Sequence, residues 1–101
     1  MSGKVVAVSI SEKKGEKKRN VPSVELREEY GIIGDAHAGG ERQVSLLAAE
    51  SIETMKKKGL SVGAGDFAEN ITTGQIELIN LDRGAKLKIG ETVLLEITQI
   101  G

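Results

Sequence analysis

The sequence predicts a mainly β chain with one inserted helix, folded as a small barrel or sandwich. Three observations point to this class. Ile, Leu and Val supply 27 of the 101 residues, whereas Phe67 and Tyr30 are the only aromatics, so the core must be aliphatic and rich in side chains that favour strands. The apolar runs are short and are separated by glycine-bearing turns along most of the chain. Only the segment from Ser45 to Lys58 has clear helical spacing. Short, frequent strands around a single helix suit a barrel or sandwich. The length allows one domain, residues 1–101.

Lys4 to Ser11 reads as the first strand, because Val5, Val6, Val8 and Ile10 give β-branched density with partial alternation. Ser11 to Asn20 is polar, with Lys13, Lys14, Lys17, Lys18 and Arg19 around Gly15. It reads as a solvated hairpin tip. The alternative is a patch for phosphate or an acidic partner, whose field Glu12 and Glu16 dilute. A second strand is expected from Val21 to Arg27, with Pro22 near its start, where a missing donor is tolerated.

The helix follows. Ser45 can cap it, and Leu47, Ala48, Ile52 and Met55 lie close enough to one face to bury it. Glu50 and Glu53 precede Lys56, Lys57 and Lys58, which suits the macrodipole, and Gly59 is a good residue just past the end. Gly63 and Gly65 then lead into a short strand from Phe67 to Thr72, with Phe67 as its core anchor. Gly74 to Gly101 reads as further short strands, with turns at Asp82-Arg83-Gly84 and Ile89-Gly90-Glu91 and a β-prone run from Thr92 to Ile100.

Composition narrows the function. No charge-free stretch exceeds 7 residues, so no membrane span is expected. The N-terminus has no secretory-signal pattern. Each half of the chain is close to neutral, with a net charge of −1 overall, so a broad nucleic-acid surface is not expected. The chain has no cysteine, and therefore no disulfide, thiolate metal site or cysteine nucleophile. That composition fits a cytoplasmic protein.

Three segments could carry chemistry. Gly31 to Gly40 packs four glycines and two alanines around Asp35 and the only histidine, His37. Glycines permit positive φ and close backbone approach to a ligand, and a carboxylate beside an imidazole can orient it. A glycine-rich turn with a polar tip is the plain alternative. Arg42 and Gln43 stand just before the expected helix cap; Arg42 could bind an anion together with the helix N-terminus, or simply pair with Glu41. Gly65 to Ile71 places Asp66, Glu69 and Asn70 beside Phe67. Asn70 can read the donors and acceptors of a heterocycle, and Glu69 could hold Arg42; an ordinary turn with Phe67 as its core anchor is the plain alternative.

In this order, Gly34-Asp35-Ala36-His37-Ala38-Gly39, Arg42-Gln43-Val44-Ser45-Leu46-Leu47 and Gly65-Asp66-Phe67-Ala68-Glu69-Asn70-Ile71 resemble the MOSC domain. That domain is named for the C-terminal region of molybdenum cofactor sulfurases. The run from Gly84 to Gly101 is similar to the family's β-hairpin. The resemblance implies a compact MOSC-like β-barrel and an association with the molybdenum cofactor (molybdopterin). Asp35, His37, Arg42, Gln43 and Asn70 fall in motif segments that the resemblance implies border the cofactor cleft. Chemistry then suggests that Arg42 clamps the pterin's phosphate. Asn70 reads a pterin edge or holds a loop, and Asp35 with His37 orders the glycine loop. Lys17, Lys18 and Arg19 are the next candidates for an anion. Short stand-alone forms in bacteria share the pattern, and the implied partners are a molybdoenzyme or a cofactor-biosynthesis protein.

One departure stands out. The family pattern usually continues past Thr98-Gln99-Ile100-Gly101 into a segment with a cysteine, and this sequence stops at Gly101. A truncated form, a thiol supplied from elsewhere and a binding-only role all fit. The expected function is a molybdopterin-binding module that assists cofactor synthesis, sulfuration or delivery. The alternatives are a non-catalytic protein-interaction domain and an enzyme using Asp35 and His37 as an acid–base pair.

Overall fold

A computed structural model describes residues 3–40, 43–76, 81–90 and 93–98. In chain order the elements are β1 (Lys4–Ile10), β2 (Arg19–Val21), β3 (Leu26–Arg27), β4 (Gly31–Ile32), β5 (Leu46–Ala48), α1 (Ala49–Lys57), β6 (Ile71–Gly74), β7 (Lys86–Ile89) and β8 (Val93–Glu96). The chain is thus mainly β with one helix. Among the described residues the strands form three separate sheets: a four-stranded one in the order β2-β1-β6-β5, and the pairs β3-β4 and β7-β8. The expected closure into a barrel is not seen there.

The valine-rich β1 is central because it pairs on both sides. It runs antiparallel to β2, with Val8 opposite Val21, Ser9 opposite Asn20 and Ile10 opposite Arg19. It also runs antiparallel to β6, with Val8 opposite Ile71 and a register shift between Val5 and Ala7. The polar segment between β1 and β2 is the expected hairpin tip, and Gly15 there adopts φ +85°. One further step of the β1–β2 register would set Lys18 opposite Ser11.

β5 and β6 pair in parallel, Leu46 with Ile71 and Leu47 with Thr72. A tight turn cannot join parallel strands, so α1 and the loop after it form the crossover. This corrects the expected helix start. Leu46 to Ala48 form a strand, and the helix begins after Ala48, with no side-chain cap from Ser45. The helix end matches expectation. Gly59 at φ +96° follows Lys58, its N–H donates to the Lys56 carbonyl, and the Leu60 N–H donates to Met55. Those two bonds satisfy carbonyls that the helix leaves open.

Two other expectations change. The strand expected from Val21 to Arg27 is broken into the end of β2 at Val21 and the whole of β3. The strand expected from Phe67 begins only at Ile71, and Phe67 sits in a turn with 43% of its surface exposed. Phe67 is therefore not a core anchor. In the terminal run, Val93–Glu96 is a strand as expected, whereas Thr92, Gln99, Ile100 and Gly101 lie outside the described residues.

Among the described residues, the buried apolar side chains are Ile32, Ile52 and Ile71. Ser9, Ser11, Lys18, Asp35, Glu69, Asn70, Thr72 and Thr73 are buried as well. Polar groups outnumber apolar ones in the interior, so its hydrogen bonding must be organised in detail. On another part of the surface, an apolar groove of about 430 Å³ is lined by residues that include Val5, Val8, Val21, Ile89 and Val93.

Candidate functional site

The buried polar groups converge on the C-terminal end of β1. Ser9 and Ser11 are two residues apart and share a face of an extended chain. The Ser9 carbonyl accepts a hydrogen bond from Asn70 Nδ2 at 3.1 Å, while the Ser9 N–H donates to the Asn70 carbonyl at 2.8 Å. The Ser11 N–H donates to Asp35 Oδ1 at 3.1 Å, and the Ser11 carbonyl accepts from the Ala36 N–H at 2.8 Å. A few residues of one strand thus tie together the 31–40 glycine segment and the 65–71 segment.

Asp35 follows a tight turn after β4, in which Gly34 adopts φ +91° and the Asp35 N–H donates to Ile32. Its side chain is 0% exposed, and that of Lys18 is 1% exposed. Lys18 Nζ donates to Asp35 Oδ1 at 2.8 Å and to Ser11 Oγ at 3.1 Å, and lies 3.2 Å from His37 Nδ1. Asp35 Oδ2 accepts from the His37 N–H at 3.0 Å. Burial alone would push the Asp35 carboxyl up. The Lys18 ammonium and the backbone N–H groups of Ser11 and His37 outweigh it and hold the carboxyl below its ordinary value. The His37 side chain is 34% exposed, so the loop leaves its ring at the surface above a buried ion pair.

The 65–71 segment is fixed as tightly. Asn70 is 0% exposed; besides its bond to Ser9, its Oδ1 accepts from the Ser45 N–H at 3.0 Å. Glu69 accepts from the Phe67 N–H at 3.3 Å and from Thr72 Oγ1 at 2.9 Å. Its carboxylate is thereby committed to its own loop. At Gly65, φ is +91° and an added Cβ would stand 2.6 Å from the Lys18 carbonyl oxygen, so only glycine fits there. Ala68 adopts φ +62° without being glycine, a strained conformation that the surrounding bonds enforce.

The structure brings Asp35, His37 and the Asn70 segment to one place. Asp35 and His37 meet through a turn. Asn70 ties loops together, and its buried amide faces protein backbone. Gln43 donates from Nε2 to the Glu29 carbonyl at 3.1 Å and packs against Gly31. Arg42, with the anion clamp expected of it, lies outside the described residues. Lys18 is the residue that sequence reasoning misplaced. It is one of the run of cations at the hairpin tip, yet it is buried. An ammonium has three donors, and Asp35, Ser11 and His37 account for three partners, so Lys18 is not a reserve anion site. Lys17 and Arg19 do remain exposed.

This is a mainly β protein whose interior polar groups gather beneath a glycine-rich loop and hold one histidine at the surface. The chain belongs to the MOSC domain family, whose profile matches residues 34–100. No curated protein and no solved structure matches it. The family is associated with the molybdenum cofactor, and the matched span includes Asp35, His37, Gln43 and Asn70. Among the described residues, no helix is long and apolar enough to cross a membrane.

Proposed function

We propose that the chain acts as one domain that binds molybdopterin and assists the synthesis, sulfuration or delivery of the molybdenum cofactor. One observation carries this reading. A buried Lys18–Asp35 pair anchors the glycine loop at the start of the family-matched span and leaves the His37 ring accessible. Taking an ion pair out of water is costly, and the group that this pair holds in place is a hydrogen-bonding heterocycle.

The residues fit such a cofactor by donor type. A pterin offers a carbonyl and ring nitrogens, and its phosphate offers anionic oxygens. The His37 ring can meet one of these acceptors, whereas the backbone N–H groups of residues 35–40 are spent on holding the loop's own shape. When bound, the cofactor would supply the pterin dithiolene that carries molybdenum. The chain's own part is to bind and orient it, with Asp35 and Lys18 holding the loop and Asn70 holding the floor beneath it. Sulfur transfer would need a thiolate from outside residues 1–101, because these residues contain none.

The test is titration of the protein with purified molybdopterin, followed by pterin fluorescence and calorimetry. Saturable binding at tens of micromolar, about 6 kcal/mol, is expected, and its absence overturns the reading. A second reading, a protein-interaction domain serving a molybdoenzyme or biosynthesis partner, draws support from the apolar groove along β1 and β7-β8. A complex with an apo-molybdoenzyme that forms equally well with and without molybdopterin would favour it.

A further inference from the structure

We propose that Lys18 is a positioning residue that sets His37 as a neutral Nε2–H tautomer, and that His37 uses this N–H to recognise an oxygen acceptor of the ligand. The inference rests on the site described above and deepens it by naming the hydrogen-bonding role of its exposed ring.

The argument runs through a chain of partners. Asp35 accepts three hydrogen bonds, two on Oδ1 and one on Oδ2, which is the pattern of an ionised carboxylate. With an ionised partner 2.8 Å away and both side chains out of solvent, Lys18 is an ammonium, which can only donate. His37 Nδ1 stands 3.2 Å from that ammonium. It must therefore be the acceptor, and an imidazole that accepts at Nδ1 carries its proton at Nε2. The alternative tautomer would set an N–H against an ammonium with no acceptor between them. Asp35 Oδ2 does not compete for the ring, because it lies 3.6 Å from Nδ1 and already accepts the His37 backbone N–H.

The consequence is a donor of fixed sense. A ring held in this way presents Nε2–H and suits an acceptor oxygen, whether a heterocycle carbonyl or an anionic oxygen. The same ring would be a poor partner for a donor group. Lys18 comes from the β1–β2 hairpin, upstream of the matched span 34–100, so the hairpin contributes to the site without touching the ligand.

The chain has a single histidine, so isotope-labelled imidazole nitrogens give one unambiguous nuclear magnetic resonance signature. In mildly alkaline buffer, the wild type should show a protonated Nε2 and an unprotonated Nδ1; the reverse pattern overturns the proposal. Lys18→Met alone leaves Asp35 buried without its partner, so the companion variant is Lys18→Met with Asp35→Asn. That double variant should fold and show a mixture of tautomers. Retention of the wild-type pattern would mean that something other than Lys18 sets it. Three probes, molybdopterin, free pterin and inorganic phosphate, are then titrated while the Nε2 signal is followed. A saturable shift with pterin assigns the carbonyl, and one with phosphate assigns the anionic oxygen. His37→Gln should weaken molybdopterin about three- to tenfold, the scale of one hydrogen bond. Molybdopterin binding that leaves the ring signal unmoved refutes the recognition role while sparing the proposed function. An absence of molybdopterin binding refutes the function and leaves the tautomer result standing.

Discussion

Lys18 and Asp35 show how a residue's role depends on what surrounds it. Removing one member of a buried ion pair leaves the other charge uncompensated, and Lys18→Met should cost about 3–5 kcal/mol. Lys18→Met combined with Asp35→Asn should cost clearly less than the sum of the single changes, and denaturant titration of the four proteins measures that coupling. The pair also predicts a pH dependence. The Asp35 carboxyl is held below its ordinary 3.8 in the folded state, so on acidification the unfolded chain takes up this proton first. Its contribution is complete above that value and is lost as pH falls through the lower folded-state value. The stability gap between wild type and Asp35→Asn should be constant from neutrality down to about pH 4 and narrow below it, as read from unfolding midpoints. The Lys18 position was partly legible. Ser9 with Asn20 and Ser11 with Lys18 are polar pairs in a hairpin whose register could be extrapolated, but a run of cations around a glycine reads more simply as a solvated tip.

At the scale of elements, the sequence announced the mainly β class and the helix end, and it misled where two periodicities overlap. Leu47, Ala48, Ile52 and Met55 satisfy a helical face, yet a three-residue apolar run satisfies a buried strand equally well. Parallel pairing with β6 decided in favour of the strand. Phe67 misled because the largest apolar side chain is expected to be buried, whereas Gly65 and the Glu69 carboxylate fix a loop that turns it outward. The two positions should therefore respond in opposite ways. Gly65→Ala must adopt a left-handed backbone and meet the Lys18 carbonyl, and should lose about 2 kcal/mol or more. Phe67→Ala should stay within roughly 0.5 kcal/mol of wild type, the ordinary scale for surface changes. Thermal melts of both variants check the pair of predictions, and a large loss at Phe67 would mean that it packs against something.

For the molecule as a whole, the candidate site was visible in outline, because its motif segments stand in the sequence in order. Their meeting at the end of β1 was not visible, since it depends on which strands neighbour one another. The absence of cysteine also has a whole-chain outcome. Met1 and Met55 are thioethers, so incubation with a cysteine desulfurase and labelled cysteine should leave no covalent sulfur on residues 1–101, as read by non-reducing mass spectrometry. A bound persulfide would require chemistry that these side chains do not provide.

The make-up of the interior also bears on how this protein responds to temperature. Eight of its buried residues among the described ones are polar or charged and three are apolar. Exposing apolar surface raises the heat capacity of unfolding, and exposing polar surface lowers it. Calorimetry should therefore give a heat-capacity increment below the roughly 1.2–1.5 kcal/mol/K usual for a chain of this length. Its stability curve would then be a low, broad dome, with little difference between cold and warm conditions until the melt itself.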